Sequence, residues 1–208
     1  METSPQPYGR LIMFDGPDGV GKTRQVELAA DRLTKQGESV YVTRAHGGTP
    51  VGEKLRLVSL SDTPRRPLTD LLLSRTIHAE LAYELHIKRS LGTTCLVDRS
   101  PASMLAYQVY GSGLDADIAY PVINNDMQYF DPTLLLIYTA DLAVLESRRR
   151  HRGGAGDYFE DKPADYHNRV IAGYAEAAQL YGGIIIDASG SIESVHEQTM
   201  EIIHTAGV

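Results

Sequence analysis

A single cysteine, Cys95, stands in 208 residues, which excludes an internal disulfide and leaves no cysteine cluster for zinc. A reducing compartment is the simpler setting for such a chain. Long apolar runs are missing too. None approaches the roughly 18 to 20 residues of a membrane span, and the opening METSPQPYGR lacks an apolar signal core. A soluble, cytoplasmic protein without membrane contact is therefore expected. Positive charge is in deficit: 20 Lys and Arg face 27 Asp and Glu, a net charge of −7 that argues against a general nucleic-acid binder. Any basic cluster must then have a local target. The seven histidines show no H-E-x-x-H or similar metal spacing. No repeat, low-complexity tract or linker divides the chain, and a 42% hydrophobic fraction suffices for a core, so residues 1–208 are expected to form one domain.

What is present starts with Gly16 to Thr23, GPDGVGKT, which fits G-x-x-x-x-G-K-[ST] at every position. Leu11 to Phe14 before it form a short apolar run ending in Asp15, the texture of a buried parallel strand. Val26, Leu28, Ala29, Ala30 and Leu33 after it recur near helical spacing. A glycine-rich turn between strand and helix lets backbone N–H groups point at a phosphate, and the helix dipole favours the same anion. The loop residues Gly16, Asp18, Gly19, Val20 and Gly21 are expected to cradle a nucleotide. Lys22 is expected at its β and γ phosphates, and Thr23 at a magnesium ion.

Further apolar runs follow at 39–43, 93–98, 133–138 and 184–187, separated by a short helix through Leu55, Leu57 and Leu60 and by helical stretches at about 68–91, 102–110, 115–129 (bent at Pro121), from about 142 into the run SRRRHRGG, and at 164–180 and 192–204. The expected fold class is α/β: a P-loop NTP hydrolase-like, parallel five-stranded sheet with helices on both faces and a helical lid at about 148–160. Ligands of such sheets lie at the carboxyl ends of the strands. Asp98 ends an apolar strand, where a P-loop protein places a magnesium carboxylate, and Arg99 follows it instead of a second acid, which favours transfer to a bound acceptor over hydrolysis. Arg44 ends the second strand and suits an acceptor that is already a phosphate. Glu53 nearby keeps open the other case, an alcohol acceptor served by a carboxylate base. Arg148, Arg149, Arg150 and Arg152 run into Gly153, Gly154 and Gly156, which reads either as a hinged flap bringing arginine to a transferring phosphoryl group or as a solvated helix end.

These segments together resemble the thymidylate kinases, which phosphorylate dTMP to dTDP with ATP, over nearly the whole chain. FDGPDGVGKT resembles that family's F-E-G-x-D-G-x-G-K-[ST], and TRAHGGTPVGEKLR its T-R-E-P-G-G-T-P-x-G-E-x-[IL]-R. DRSPASMLAYQVYGSGLD is similar to D-R-Y-x-x-S-x-x-A-Y-Q-G-x-G-R-G-[LI]-x, RHRGGAGDYFE to the lid, and IDASGSIESV to the adenine-side segment. The resemblance implies ATP and Mg2+, a small-molecule nucleotide acceptor and a homodimer. It implies Asp18 near acceptor and metal, Arg44 and Arg99 on the dTMP phosphate, and Arg75 on the thymine edge. Tyr107 would lie beneath the deoxyribose, with Ser103 and Gln108 beside the substrate and Ala188 and Ser189 beside the adenine.

Glycine at position 19, where one branch of the family has arginine, leaves the catalytic cation to Arg148, Arg150 or Arg152. Several departures matter, among them Ala45-His46 in place of Glu-Pro, Ser100 in place of Tyr, and Leu71 where an aromatic stacks on thymine, a loss on the order of 1 kcal/mol. His46 stands where it could replace the missing base contact. Rival readings are the same reaction on another or a broader set of bases, a nucleotide-dependent switch, and an inactive binding module. The chain has no N-K-x-D for guanine.

Overall fold

The computed structural model describes residues 8–152, 159 and 162–206. Five parallel strands, β1 (Leu11–Asp15), β2 (Val40–Arg44), β3 (Thr94–Asp98), β4 (Leu134–Thr139) and β5 (Ile184–Asp187), lie in the order β2-β3-β1-β4-β5. β1 is central and buried along its whole length, which is why it reads as continuous apolar residues and not as an alternation. Alternation survives as a division between two cores. Leu11, Met13, Cys95, Val97, Leu135 and Ile137 belong to one cluster, and Ile12, Phe14, Leu96, Leu134, Leu136 and Tyr138 to the other.

The second face is covered by α1 (Lys22–Lys35) and α8 (Ile192–Thr205), which pack together. Against the first lie α3 (Pro67–Ser90), α5 (Ala116–Phe130) and α7 (Ala164–Tyr181). The shorter α2 (Pro50–Leu60) packs on α3, and α6 (Leu142–Arg152) follows β4. Parallel register then sets the chemistry side by side. Phe14 and Arg44 both pair with Asp98, so the carboxyl ends of β1, β2 and β3 meet along one rim.

Strand and helix bounds differ from the sequence expectation by one or two residues in most places. The larger difference lies at 102–110, where a single α-turn, α4 (Ala102–Met104), runs into a π-helix, Leu105–Gly111. Ser112 N–H bonds to the Tyr107 carbonyl five residues back, at 2.9 Å. Helical periodicity cannot distinguish the two forms over so short a stretch. α5 runs through Pro121 as one helix. Of the expected lid at about 148–160, residues 153–158 and 160 lie outside the described residues.

α7 is seated directly on the π-helix through Gly173. A Cβ there would stand 2.7 Å from the Ala106 Cα and 2.9 Å from the Tyr110 Cβ, the first of which is backbone and cannot rotate away. Gly173→Ala is therefore expected to destabilise the protein by about 1–3 kcal/mol, read as a lower urea midpoint with little change in slope.

Candidate active site

A cleft of about 1120 Å³ opens on the rim where β1, β2 and β3 end. One wall is the loop of residues 16–23. Gly19 adopts φ +87°, and a Cβ there would meet the Leu145 carbonyl at 2.9 Å, so both backbone conformation and space call for glycine. Gly16 backs onto the Tyr138 carbonyl, behind the cleft wall. α1 begins with no side-chain cap and no acid in its first turn, which leaves its N-terminal N–H groups and dipole for an anion. Lys22 is buried and folds back on its own loop, donating to the Pro17 carbonyl at 3.3 Å and standing 3.6 Å from Asp18. Thr23 Oγ1 donates to Asp98 Oδ2 at 2.5 Å. That hydroxyl and carboxylate bring hard oxygens together at the loop, a donor set suited to magnesium.

The floor is an ion pair between Asp18 and Arg99, joined by the Tyr107 hydroxyl donating to Asp18 at 2.6 Å. Burial alone would push the Asp18 carboxyl up. The Arg99 and Lys22 charges and the Tyr107 hydroxyl outweigh it and hold the group well below the usual carboxylate range. Arg99 itself sits at φ +78°, a left-handed conformation costly for a residue with a side chain. The buried Asp15 carboxylate holds this turn in place. It accepts from Gly16 N–H at 2.8 Å, Ser100 N–H at 2.9 Å, Ser100 Oγ at 2.7 Å, Ser103 Oγ at 2.8 Å and the Tyr174 hydroxyl at 2.8 Å. Ser103 and Tyr174 in turn each accept from Arg99 at 3.3 Å. Ser103 thus lines the cleft and also holds Arg99.

On the β2 side, Arg44 is held by Glu53 at 2.6 Å, and Glu53 also accepts from Gly48 N–H at 2.7 Å. The Arg44 hydrogen bond, with the one from Gly48, lowers the Glu53 pKa. A carboxylate so stabilised is a poor base, which removes the support for an alcohol acceptor. Arg148 bridges the Val20 carbonyl and the Gly190 carbonyl, each at 3.2 Å, and so ties the loop to the start of α8. Ala188 lines the same end of the cleft with Gly190 and Ile192.

Four expected site residues stand elsewhere. Leu71 is fully buried in the core and lines no part of the cleft. Arg75 turns to α5, where it pairs with Asp126 and donates to Asn125 at 2.7 Å. The face of α3 that meets the cleft is Asp70, Ser74 and His78, one residue out of step with 71 and 75. Arg150 points away, largely exposed and 3.9 Å from Glu146, whereas Arg149 lines the cleft. Ser189 is turned to Asp187, to which its N–H donates at 2.9 Å, and lies off the cleft. The side chain of Arg152 is outside the described residues.

Fold and site together define a P-loop phosphotransferase arranged for a phosphorylated acceptor. Residues 14–199 match the family model described as Thymidylate kinase. The thymidylate kinase of Nostoc punctiforme (strain ATCC 29133 / PCC 73102) is 36% identical over 215 residues, covering 96% of this chain and 99% of that one. That of Halothermothrix orenii (strain H 168 / OCM 544 / DSM 9562) is 34% identical, covering 91% and 94%. A crystal structure of thymidylate kinase from Ehrlichia chaffeensis superposes with a TM-score of 0.73 at 22% identity, over 95% of this chain and 99% of that one, a likeness of fold. The chain belongs to the thymidylate kinase family.

Two histidines of the cleft wall are held neutral. Burial lowers both, His46 to about 3 with Arg99 and other nearby cations adding to it, and His78 to about 3 with His46 and Arg75 adding to it. Both folded values lie below the unfolded one near 6.5, so their stabilising effect is complete above pH 6.5 and declines as the pH falls towards 3. At pH 5 each ring held neutral lowers stability by about 2 kcal/mol relative to pH 7.5. Denaturant unfolding at the two pH values is expected to show this fall, the two rings together taking up close to two protons on unfolding at pH 5. A flat profile would mean that both rings charge in the folded protein.

Proposed function

We propose that the chain transfers the γ-phosphoryl group of ATP to the 5′-phosphate of dTMP, giving dTDP and ADP. The observation that carries this reading is the pairing of an ATP-type phosphate loop with Arg44 and Arg99 across one cleft, where the nearby acids Asp18 and Glu53 are each tied to an arginine. An acceptor phosphate already carries an anionic oxygen at neutral pH, so it needs cations to position it and no base to deprotonate it.

In this reading Lys22 leaves Asp18 for the β and γ phosphates, and the N–H groups at the start of α1 take the remaining charge. Thr23 and Asp98 would hold Mg2+, which supplies neutralisation of the phosphate charge. Arg99, pre-aimed by Ser103 and Tyr174, exchanges Asp18 for the acceptor phosphate. An acceptor oxygen forms the new bond to the γ-phosphorus as the bond to the bridging β oxygen breaks, and ADP leaves. Arg148 and Arg149, which line the cleft, would stabilise charge on the transferring group. Gly190 and Ile192 mark the adenine end. A homodimer remains part of the proposal, supported by exposed apolar residues on α2 and α3: Leu57, Leu68, Leu72, Tyr83 and Ile87.

The test is transfer from Mg-ATP to dTMP, dUMP, dCMP, dGMP, dAMP and UMP, with ADP release in the absence of acceptor as control. Acceptor-dependent ADP release with dTMP preferred is expected. Lys22→Ala should lower transfer by a hundredfold or more, in the range of about 10²–10³ for a lost charge-stabilising donor, with the thermal midpoint little changed. Release of ADP independent of any acceptor would instead favour a nucleotide switch.

A further inference from the structure

On the α3 side of the cleft, four neutral side chains face one space with hydrogen-bonding atoms that no described residue uses. They are His46 after β2, Ser74 and His78 one turn apart on α3, and Gln108 on the π-helix. His46 Nε2 is enclosed and has no partner among the described residues. Groups of this kind are costly to leave unmatched, so their convergence marks a surface that a polar, uncharged ligand edge completes. The charged residues nearby are engaged elsewhere: Asp70 is paired with Arg65, and Arg75 with Asp126.

One of the four has its role fixed. His78 Nδ1 lies 2.8 Å from Asp126 Oδ2, and Asp126 is fully buried and paired with Arg75. An ionised carboxylate only accepts hydrogen bonds, so Nδ1 carries the proton and Nε2 is left as an acceptor. Ser74 and Gln108, which line the same cleft, can each donate. The wall therefore presents an acceptor that cannot reverse its sense, beside donors that can. A 2,4-dioxopyrimidine shows the complement, a ring N–H between two carbonyl oxygens. Cytosine shows an unprotonated ring nitrogen at the same place, which would set acceptor against acceptor.

We propose that His78, held in the Nδ1–H form by Asp126, selects the acceptor base by accepting a hydrogen bond from the ring N–H of thymine or uracil. The inference rests on the proposed nucleoside-monophosphate kinase reaction and assigns its base-reading residue. Arg75 acts at one remove, as counter-charge to Asp126. Leu71 contributes only to the core.

The test compares kcat/KM for dTMP, dUMP and dCMP in the wild type and in His78→Gln, whose amide can turn a donor towards cytosine. The wild type is expected to favour dTMP and dUMP over dCMP. His78→Gln is expected to raise the dCMP to dTMP ratio by about tenfold or more, in the range for one hydrogen bond made or broken at a substrate edge, with the KM for ATP unchanged. A ratio within twofold of wild type would overturn the proposal. Because His78 is buried, a second measurement uses the unaltered protein: 15N NMR of the His78 ring at pH 7.5. Saturating dTMP should move Nε2 upfield while Nδ1 stays protonated, and ATP alone should leave it in place. No movement with dTMP that is nonetheless phosphorylated would overturn the assignment of His78 alone. Failure to phosphorylate any pyrimidine nucleotide would remove the kinase reading, and this inference with it.

Discussion

The ion pair between Asp18 and Arg99 is the contact on which the rest of the cleft depends. It joins the phosphate loop to the end of β3, and it keeps a part-buried guanidinium neutralised before any acceptor arrives. A cation left unpaired in that position would carry a large desolvation cost, and a cation paired too well would not release. Asp18 answers both needs because it is shared: Lys22 and Tyr107 also hold it, so its carboxylate stays satisfied when Arg99 turns to a phosphate.

That pair is aimed by Asp15. The chain carries Asp15 and Ser100 where the thymidylate kinase pattern has Glu and Tyr, and the structure puts the two departures in contact. Ser100 gives both its N–H and its hydroxyl to Asp15. A shorter acid thus meets a smaller partner, and the carboxylate still reaches the turn that holds Arg99 in its left-handed conformation. The two changes are intelligible as one adjustment. The same economy governs the far wall, where the π-helix lets Tyr107 reach Asp18 while Gln108 faces the cleft, and where Gly173 lets α7 bring Tyr174 close enough to bond Asp15.

Much of this was legible in the sequence. The apolar runs of the five strands, the loop GPDGVGKT and the strand-end residues Asp98 and Arg99 each carry a local signal, because parallel strands and phosphate loops are specified by neighbours in the chain. What failed was orientation about a helix axis. α3 carries apolar residues on more than one face, so Leu71 and Arg75 look as eligible for the cleft as Ser74 and His78. Only the contact of Arg75 with Asp126, 51 positions on, settles the rotation. Arg150 and Arg149 differ in the same way, and by a single residue. The π-helix left no trace that periodicity could detect over seven residues.

Arg99 as the anchor for an acceptor phosphate is the point on which the proposed reaction rests. Calorimetric binding of dTMP and of thymidine, to the wild type and to Arg99→Gln, measures this directly, since the two ligands differ only in the phosphate. The wild type should bind dTMP far more tightly than thymidine. Arg99→Gln should close that gap by at least tenfold, about 1.4 kcal/mol, while thymidine binding stays nearly constant. An unchanged gap would show that the phosphate is held elsewhere, and that the ion pair with Asp18 serves the fold alone.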